Sequence, residues 1–191
     1  WLTLHSRVDF FQWPALAQEV TAATWPEHCE GRSLRCFRSY SLRQGDQLLA
    51  LGRTQWAVLG EKGRLIPFAQ SGFPEDFPFV EREGITEAPA RFRDDLLPEE
   101  LVQRHTVRST DIDMGRHMNN VAYVRLLLDC FPASVLADGK IASMEVHYAA
   151  PCLEGEELSV FCRREGGICR MAVRKPDGKT AVLAAVRFHE K

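Results

Sequence analysis

From Ser109 to Tyr123 the sequence reads STDIDMGRHMNNVAY, a run that gathers proton-moving side chains just ahead of an apolar stretch. Asp113 and His117 place a carboxylate and an imidazole four residues apart, and Asn119 and Asn120 follow. A helix opening at Asn119 presents its first backbone amides, which lack partners inside the helix and carry partial positive charge. Such amides suit a developing oxyanion. Asp113 is then a candidate nucleophile, or the base that activates water, with His117 assisting proton transfer or polarising a carbonyl. Each residue also has a plainer role. Asp111 reads as a turn or capping residue, Asn119 and Asn120 as helix caps, and His117 as a buried, hydrogen-bonded histidine. The segment is either a capped turn or a site built on a helix N-terminus, and the surrounding elements must decide.

Residues 119–131, NNVAYVRLLLDCF, are apolar nearly all round, which predicts a buried helix stopped by Pro132. ELVQRHTVRST before the motif reads as a strand. After the helix come KIASMEVHYAAP, EELSVFCRR, GICRMAVRK and TAVLAAVRFH, four strands joined by turns. The first half is also strand-like. WLTLHSRVDF sets Leu2, Leu4, Val8 and Phe10 on one parity, and EVTAATW, SLRCFRSYSLR and QLLALGRTQWAVL continue an antiparallel meander. Residues 67–100 contain five prolines and nine acidic side chains, which break both periodicities and mark a connector.

A helix followed by an antiparallel meander outlines an α+β hotdog fold. A weak repeat suggests two copies. At an offset of 132 residues, LRQGDQLLALGRTQW (42–56) lies over RKPDGKTAVLAAVRF (174–188), setting Leu51 on Leu183 and Trp56 on Phe188. The expectation is a double hotdog, an antiparallel sheet wrapped around a long buried helix, with the first copy lacking its opening strand and helix. The layout is then 1–66 partial N-terminal hotdog, 67–100 connector and 101–191 C-terminal hotdog. The start at Trp1 fits a chain trimmed from something longer.

Bulk chemistry narrows the function classes. A formal charge of −2 argues against a nucleic-acid partner. No apolar run approaches the roughly 20 residues that span a bilayer, so no membrane insertion is expected. The six cysteines form no CxxC pair, which argues against a structural metal and fits small buried thiols in a reducing, cytoplasmic compartment.

DIDMGRHMNNVAY (111–123) and SMEVHYAAPC (143–152), with WLTLHSRVDFFQWP, TWPE and GRTQWAVL in the first half, resemble the acyl-acyl carrier protein thioesterases of plants and bacteria. That resemblance implies tandem hotdogs that release a fatty acid from acyl carrier protein without a metal or organic cofactor. Its partners are the carrier protein and a fatty acyl thioester, and a homodimer is allowed but not required. The family's catalytic aspartate and histidine fall on Asp113 and His117, and a cysteine sometimes given a catalytic role falls on Cys152. Asn119 and Asn120 fall on the substrate side, and LLLDCF forms part of an acyl-chain wall.

Two positions depart from the pattern. The asparagine expected two residues after the aspartate is Gly115, which leaves room for a water molecule, and the acidic residue before the cysteine is Pro151. An acidic carrier calls for a basic surface, and Arg104, Arg108, Arg116 and Arg125 cluster around the motif. Cys152 also reads as a packing residue and His147 as structural, while Asp129 faces either the cleft or a salt bridge. Two competing readings are an acyl-CoA thioesterase on the same fold and a hotdog that has lost activity and binds acyl chains. Gly115 and Pro151 favour the second.

Overall fold

The alternating segments of the first half form β1 (Leu2–Phe10), β2 (Thr21–Pro26), β3 (Cys36–Gln44), β4 (Gln47–Leu59) and a short β5 (Leu65–Ile66). The structure is a computed structural model that describes residues 1–189 except 62, 80 and 140, and the side chains of 138 and 139 are also outside the description. Contacts divide the chain into two units, Trp1–Pro89 and Ala90–Lys191. In unit 1 the antiparallel order is β2-β3-β4-β1, with β5 pairing the end of β4. Among its described residues there is no α-helix. Gly52 is required by a close approach, since a Cβ there would lie 1.8 Å from the Tyr40 ring that crosses the strand.

The parity expected for β1 does not hold at its start. The pairing with β4 is irregular between Thr3 and His5, and these two residues, on either side of the irregularity, are buried while Leu2 is 36% exposed.

Unit 2 contains β6 (Leu101–Thr106), α1 (Asn120–Leu128), α2 (Ala133–Gly139), β7 (Ile141–Tyr148), β8 (Glu157–Glu165), β9 (Ile168–Arg174) and β10 (Thr180–Phe188). The strands pair in the antiparallel order β7-β10-β9-β8-β6. Val146, Leu158, Val160, Met171, Val173, Val182 and Val186 are fully buried. The two units share one connectivity. Strands β1–β4 and β7–β10 match: β3–β4 and β9–β10 form hairpins, β2 flanks β3 as β8 flanks β9, and β1 flanks β4 as β7 flanks β10, with β6 additional in unit 2. Cys36 opens β3 just as Ile168, 132 residues later, opens β9.

The helix is shorter and less buried than its composition suggests. Tyr123, Leu126 and Leu127 are buried, but Val121, Arg125 and Asp129 form an exposed stripe. That stripe follows the i, i+4, i+8 rows of one helical face, so α1 is amphipathic in position although Val121 is apolar. Beyond Leu128 the chain turns through Cys130 N–H to the Leu127 carbonyl and Phe131 N–H to the Leu128 carbonyl. Pro132 then supplies the carbonyl that starts α2, a helix too short to announce itself by periodicity.

Five of the nine acidic residues of 67–100 pair with arginines. In unit 1, Arg43 pairs with Glu83, Arg7 pairs with Glu87, and Arg53 donates to the Glu87 carbonyl. In unit 2, Arg174 forks onto Asp94 and reaches the Leu96 carbonyl, Arg170 pairs with Asp95, and Arg163 pairs with Glu100. Leu96 lands on the sheet with Phe161, Ala172 and Leu183. The acids that break the periodicity thus tie two irregular straps onto sheet faces.

Candidate active site

Asp111, at the end of a single 3-10 turn (Ser109–Asp111), anchors the motif. Its carboxylate accepts the Arg108 amide at 2.9 Å and bonds His105 Nε2 of β6 at 2.8 Å, while its carbonyl accepts the Asn119 amide at 2.7 Å. Partial burial pushes this carboxyl upward, but the Arg108 amide and His105 more than offset it, and its pKa lies below the ordinary value. The loop that follows closes on itself. Ile112 bridges Met118, and the Asp113 amide donates to the His117 carbonyl at 3.1 Å. Arg116 sits at the tip with φ 61° and an exposed side chain.

This closure brings Asp113 and His117 together. His117 Nδ1 lies 3.8 Å from Asp113 Oδ1, both side chains are partly exposed, and Oδ1 accepts the Gly115 amide at 2.7 Å. The space that a side chain at 115 would fill is taken. A Cβ there would lie 2.8 Å from His117 Nε2 and 3.0 Å from Asp113 Oδ1. The room expected beside Gly115 is therefore occupied by the imidazole and the carboxylate.

Asn119 is the N-cap of α1, with Oδ1 accepting the Val121 amide at 2.7 Å, and Asn120 is the first helical residue. The Asn119 carbonyl takes the Tyr123 amide, so the amides of Asn120 and Ala122 precede any intrahelical acceptor. Cys152 is 0% exposed. Its carbonyl accepts the Met118 amide at 2.8 Å, and its amide donates to the Tyr123 hydroxyl at 3.1 Å. Burial raises the Cys152 thiol pKa, with the Tyr123 hydrogen bond and Lys175 opposing only in part, so this sulfur is a thiol. The Tyr123 phenol is likewise pushed far up by burial. At position 151, Lys175 Nζ donates to the Pro151 carbonyl at 2.7 Å and pairs with Glu156 at 3.1 Å.

Three of these participants were not singled out in the sequence. Tyr123 carried a signal, because a phenol in an apolar helix needs a partner for its hydroxyl. His105 and Lys175 carried none, since both act through strand register. Of the four arginines near the motif, Arg104 pairs with Glu157, and Arg108, Arg116 and Arg125 are exposed. No group of three His, Cys, Asp or Glu side chains among the described residues could hold a metal ion. Among the described residues no helix is long and apolar enough to cross a membrane. A cavity of about 390 Å³ does exist in unit 1, lined by Trp1, Phe37, Arg38, Trp56, Phe68 and Phe73, and no residue of the motif lines it.

An antiparallel sheet with a helix packed through one face, entered by a closed Asp–His loop, defines a hotdog domain, and the comparisons agree. The acyl-ACP thioesterase C-terminal domain matches residues 96–190. The chain is similar in fold to an acyl-ACP thioesterase from Bacteroides thetaiotaomicron (TM-score 0.85, 22% identity, 98% of this chain and 76% of that one). It is also similar to a 12:0-ACP thioesterase from Umbellularia californica (TM-score 0.81, 16% identity, 100% and 75%). The chloroplastic oleoyl-acyl carrier protein thioesterase of Coriandrum sativum is 22% identical over 163 residues, covering 80% of this chain and 44% of that protein. The chloroplastic palmitoyl-acyl carrier protein thioesterase of Gossypium hirsutum is 21% identical over 207 residues, covering 100% and 50%. Residues 96–190 belong to the acyl-ACP thioesterase family. It spans about half the length of these two curated relatives, 44% and 50%.

Proposed function

We propose that this chain hydrolyses fatty acyl thioesters of acyl carrier protein to a free fatty acid and the carrier thiol. The observation that carries the reading is the Asp113–His117 pair, closed by its own loop at the mouth of α1. In the proposed reaction Asp113 takes a proton from water as the water oxygen bonds to the thioester carbonyl. Amides at the start of α1 hold the resulting oxyanion, and the C–S bond then breaks as the sulfur leaves. His117 passes the proton that Asp113 took to the leaving thiolate, so both groups end as they began. Asn119 shapes the helix mouth as its cap and Asn120 supplies the first amide. Cys152 acts as packing and as a clamp, because its buried thiol is a poor nucleophile.

The tandem layout supports this reading without being required by it. We take 1–66 as a partial N-terminal hotdog, 67–100 as the connector and 101–191 as the C-terminal hotdog, on the strength of the shared strand connectivity. Every group invoked lies between His105 and Lys175 of one chain, so a homodimer is not needed. Six free thiols suit a reducing, cytoplasm-type compartment.

The deciding experiment measures free thiol released from acyl carrier protein substrates of varied chain length, beside the matching acyl-CoA series. Faster release from the carrier protein supports the proposal, and faster release from CoA moves the chain to the acyl-CoA alternative. The absence of an acid at 151, where Lys175 and Glu156 now sit, favours a second reading as an acyl-binding protein. Saturable acyl-chain binding with no thiol release would establish it.

A further inference from the structure

Gly115 is not needed for its backbone. Its φ lies outside the left-handed region, so an L-residue is tolerated there by the main chain. What excludes a side chain is His117 Nε2 at 2.8 Å and Cε1 at 3.2 Å, together with Asp113 Oδ1 at 3.0 Å, from the position a Cβ would take. The imidazole is the end of a side chain that can swing away while the loop keeps its bonds. Asp113 Oδ1 is held by the Gly115 amide and the His117 carbonyl by the Asp113 amide, so a side chain at 115 displaces the His117 ring.

Resting on the hydrolase reading above, we infer that Gly115 is a positioning residue. Its missing side chain lets the imidazole fold down beside the carboxylate, so that Asp113 and His117 work as a direct pair. The family's asparagine and this imidazole compete for one space. Restoring asparagine at 115 therefore harms this chain, although it makes the motif more like that of its relatives. The geometric argument extends to alanine, whose single methyl group already meets both side chains.

The test compares wild type, Gly115→Ala and Gly115→Asn as full chains on the best carrier-protein substrate. Both substitutions should lower kcat by about 10-fold or more, the scale of a sub-ångström to one-ångström misplacement, with a smaller change in KM and an unchanged melting temperature. In a His117→Ala background the same substitutions should have little further effect, a coupling that a purely structural role would not produce. A Gly115→Asn chain as active as wild type, or more so, overturns the inference. So does an equal loss with and without His117, or unfolding of both variants, because the clash would then lie with the backbone. If wild type releases no thiol, the hydrolase reading fails, and crystal structures of wild type and Gly115→Ala still decide this point. The inference requires the His117–Asp113 separation to widen in the variant, and an unmoved pair refutes it.

Discussion

Replacing Tyr123 with phenylalanine isolates one hydrogen bond at the base of the site. The ring stays, and so does its edge contact with Tyr148 at a centroid distance of 6.1 Å, so no cavity opens. The phenol oxygen is lost, and the Cys152 amide on a residue of 0% exposure has no acceptor in its place. An orphaned buried donor costs roughly 1–3 kcal/mol. At about 2–4 °C per kcal/mol for a chain of this size, a loss of about 2 kcal/mol lowers the melting temperature by roughly 4–8 °C. Far-UV circular dichroism is the appropriate probe, because all four tryptophans lie in unit 1 and report on that unit. The same clamp holds Met118 beside His117, so kcat should fall with stability. A melting temperature within about 1 °C of wild type would refute the reasoning, since the amide would then have found another acceptor at little cost.

Asp113→Asn should lower thiol release by about 10²-fold or more, as expected when a positioned acid–base group is lost. Cys152→Ala should lose less, and equal slow rates in wild type and Asp113→Asn would favour the binding-protein reading. Arg108→Glu and Arg125→Glu should weaken activity on carrier-protein substrates in a salt-dependent manner and spare a short synthetic thioester. Asp94 is held below its ordinary pKa first by Arg174, despite some burial, and Asp111 lies low as well. For carboxyls depressed in the folded chain the unfolded state binds protons first as pH falls. Their stabilisation should be intact above about pH 4 and lost progressively below it, as read from urea midpoints between pH 6 and 2. Asp94→Asn should make that acid loss shallower. Arg174→Ala should destabilise unit 2 by about 2 kcal/mol, because it removes both the Asp94 fork and the stacking over Phe161 at 4.2 Å.

Strands were legible in this chain because alternation and short apolar runs between turn residues are local properties, the first clearest in β3 and the second in β10. At the start of β1 the buried residues are Thr3 and His5 rather than the leucines, and that choice of face is made by the partner strands and leaves no mark in β1 alone. Helix α1 was placed correctly at its N-cap, where Asn119 has a local signature. It was misjudged for burial, because Val121 looks like a core residue until the helix is seated. The pairing of Asp113 with His117 followed from spacing within one loop. The hydrogen bond between Tyr123 and Cys152 joins residues 29 positions apart, and only the fold reveals it. The acidic connector showed no partners in the sequence because its arginines lie on distant strands.

The matching hairpins raise a question of fidelity during folding. Two segments of like shape in one polypeptide can trade places, a known route to misassembly in repeated architectures. At two matched positions the chemistry is incompatible. Thr54, whose hydroxyl meets the Tyr40 phenol, corresponds to Val186, which is wholly buried. Arg53, forked onto Glu27, corresponds to Ala185. An exchanged hairpin would set a hydroxyl and a guanidinium where valine and alanine stand on the two faces of β10. Divergence between the halves thus makes the wrong docking costly before either unit is complete.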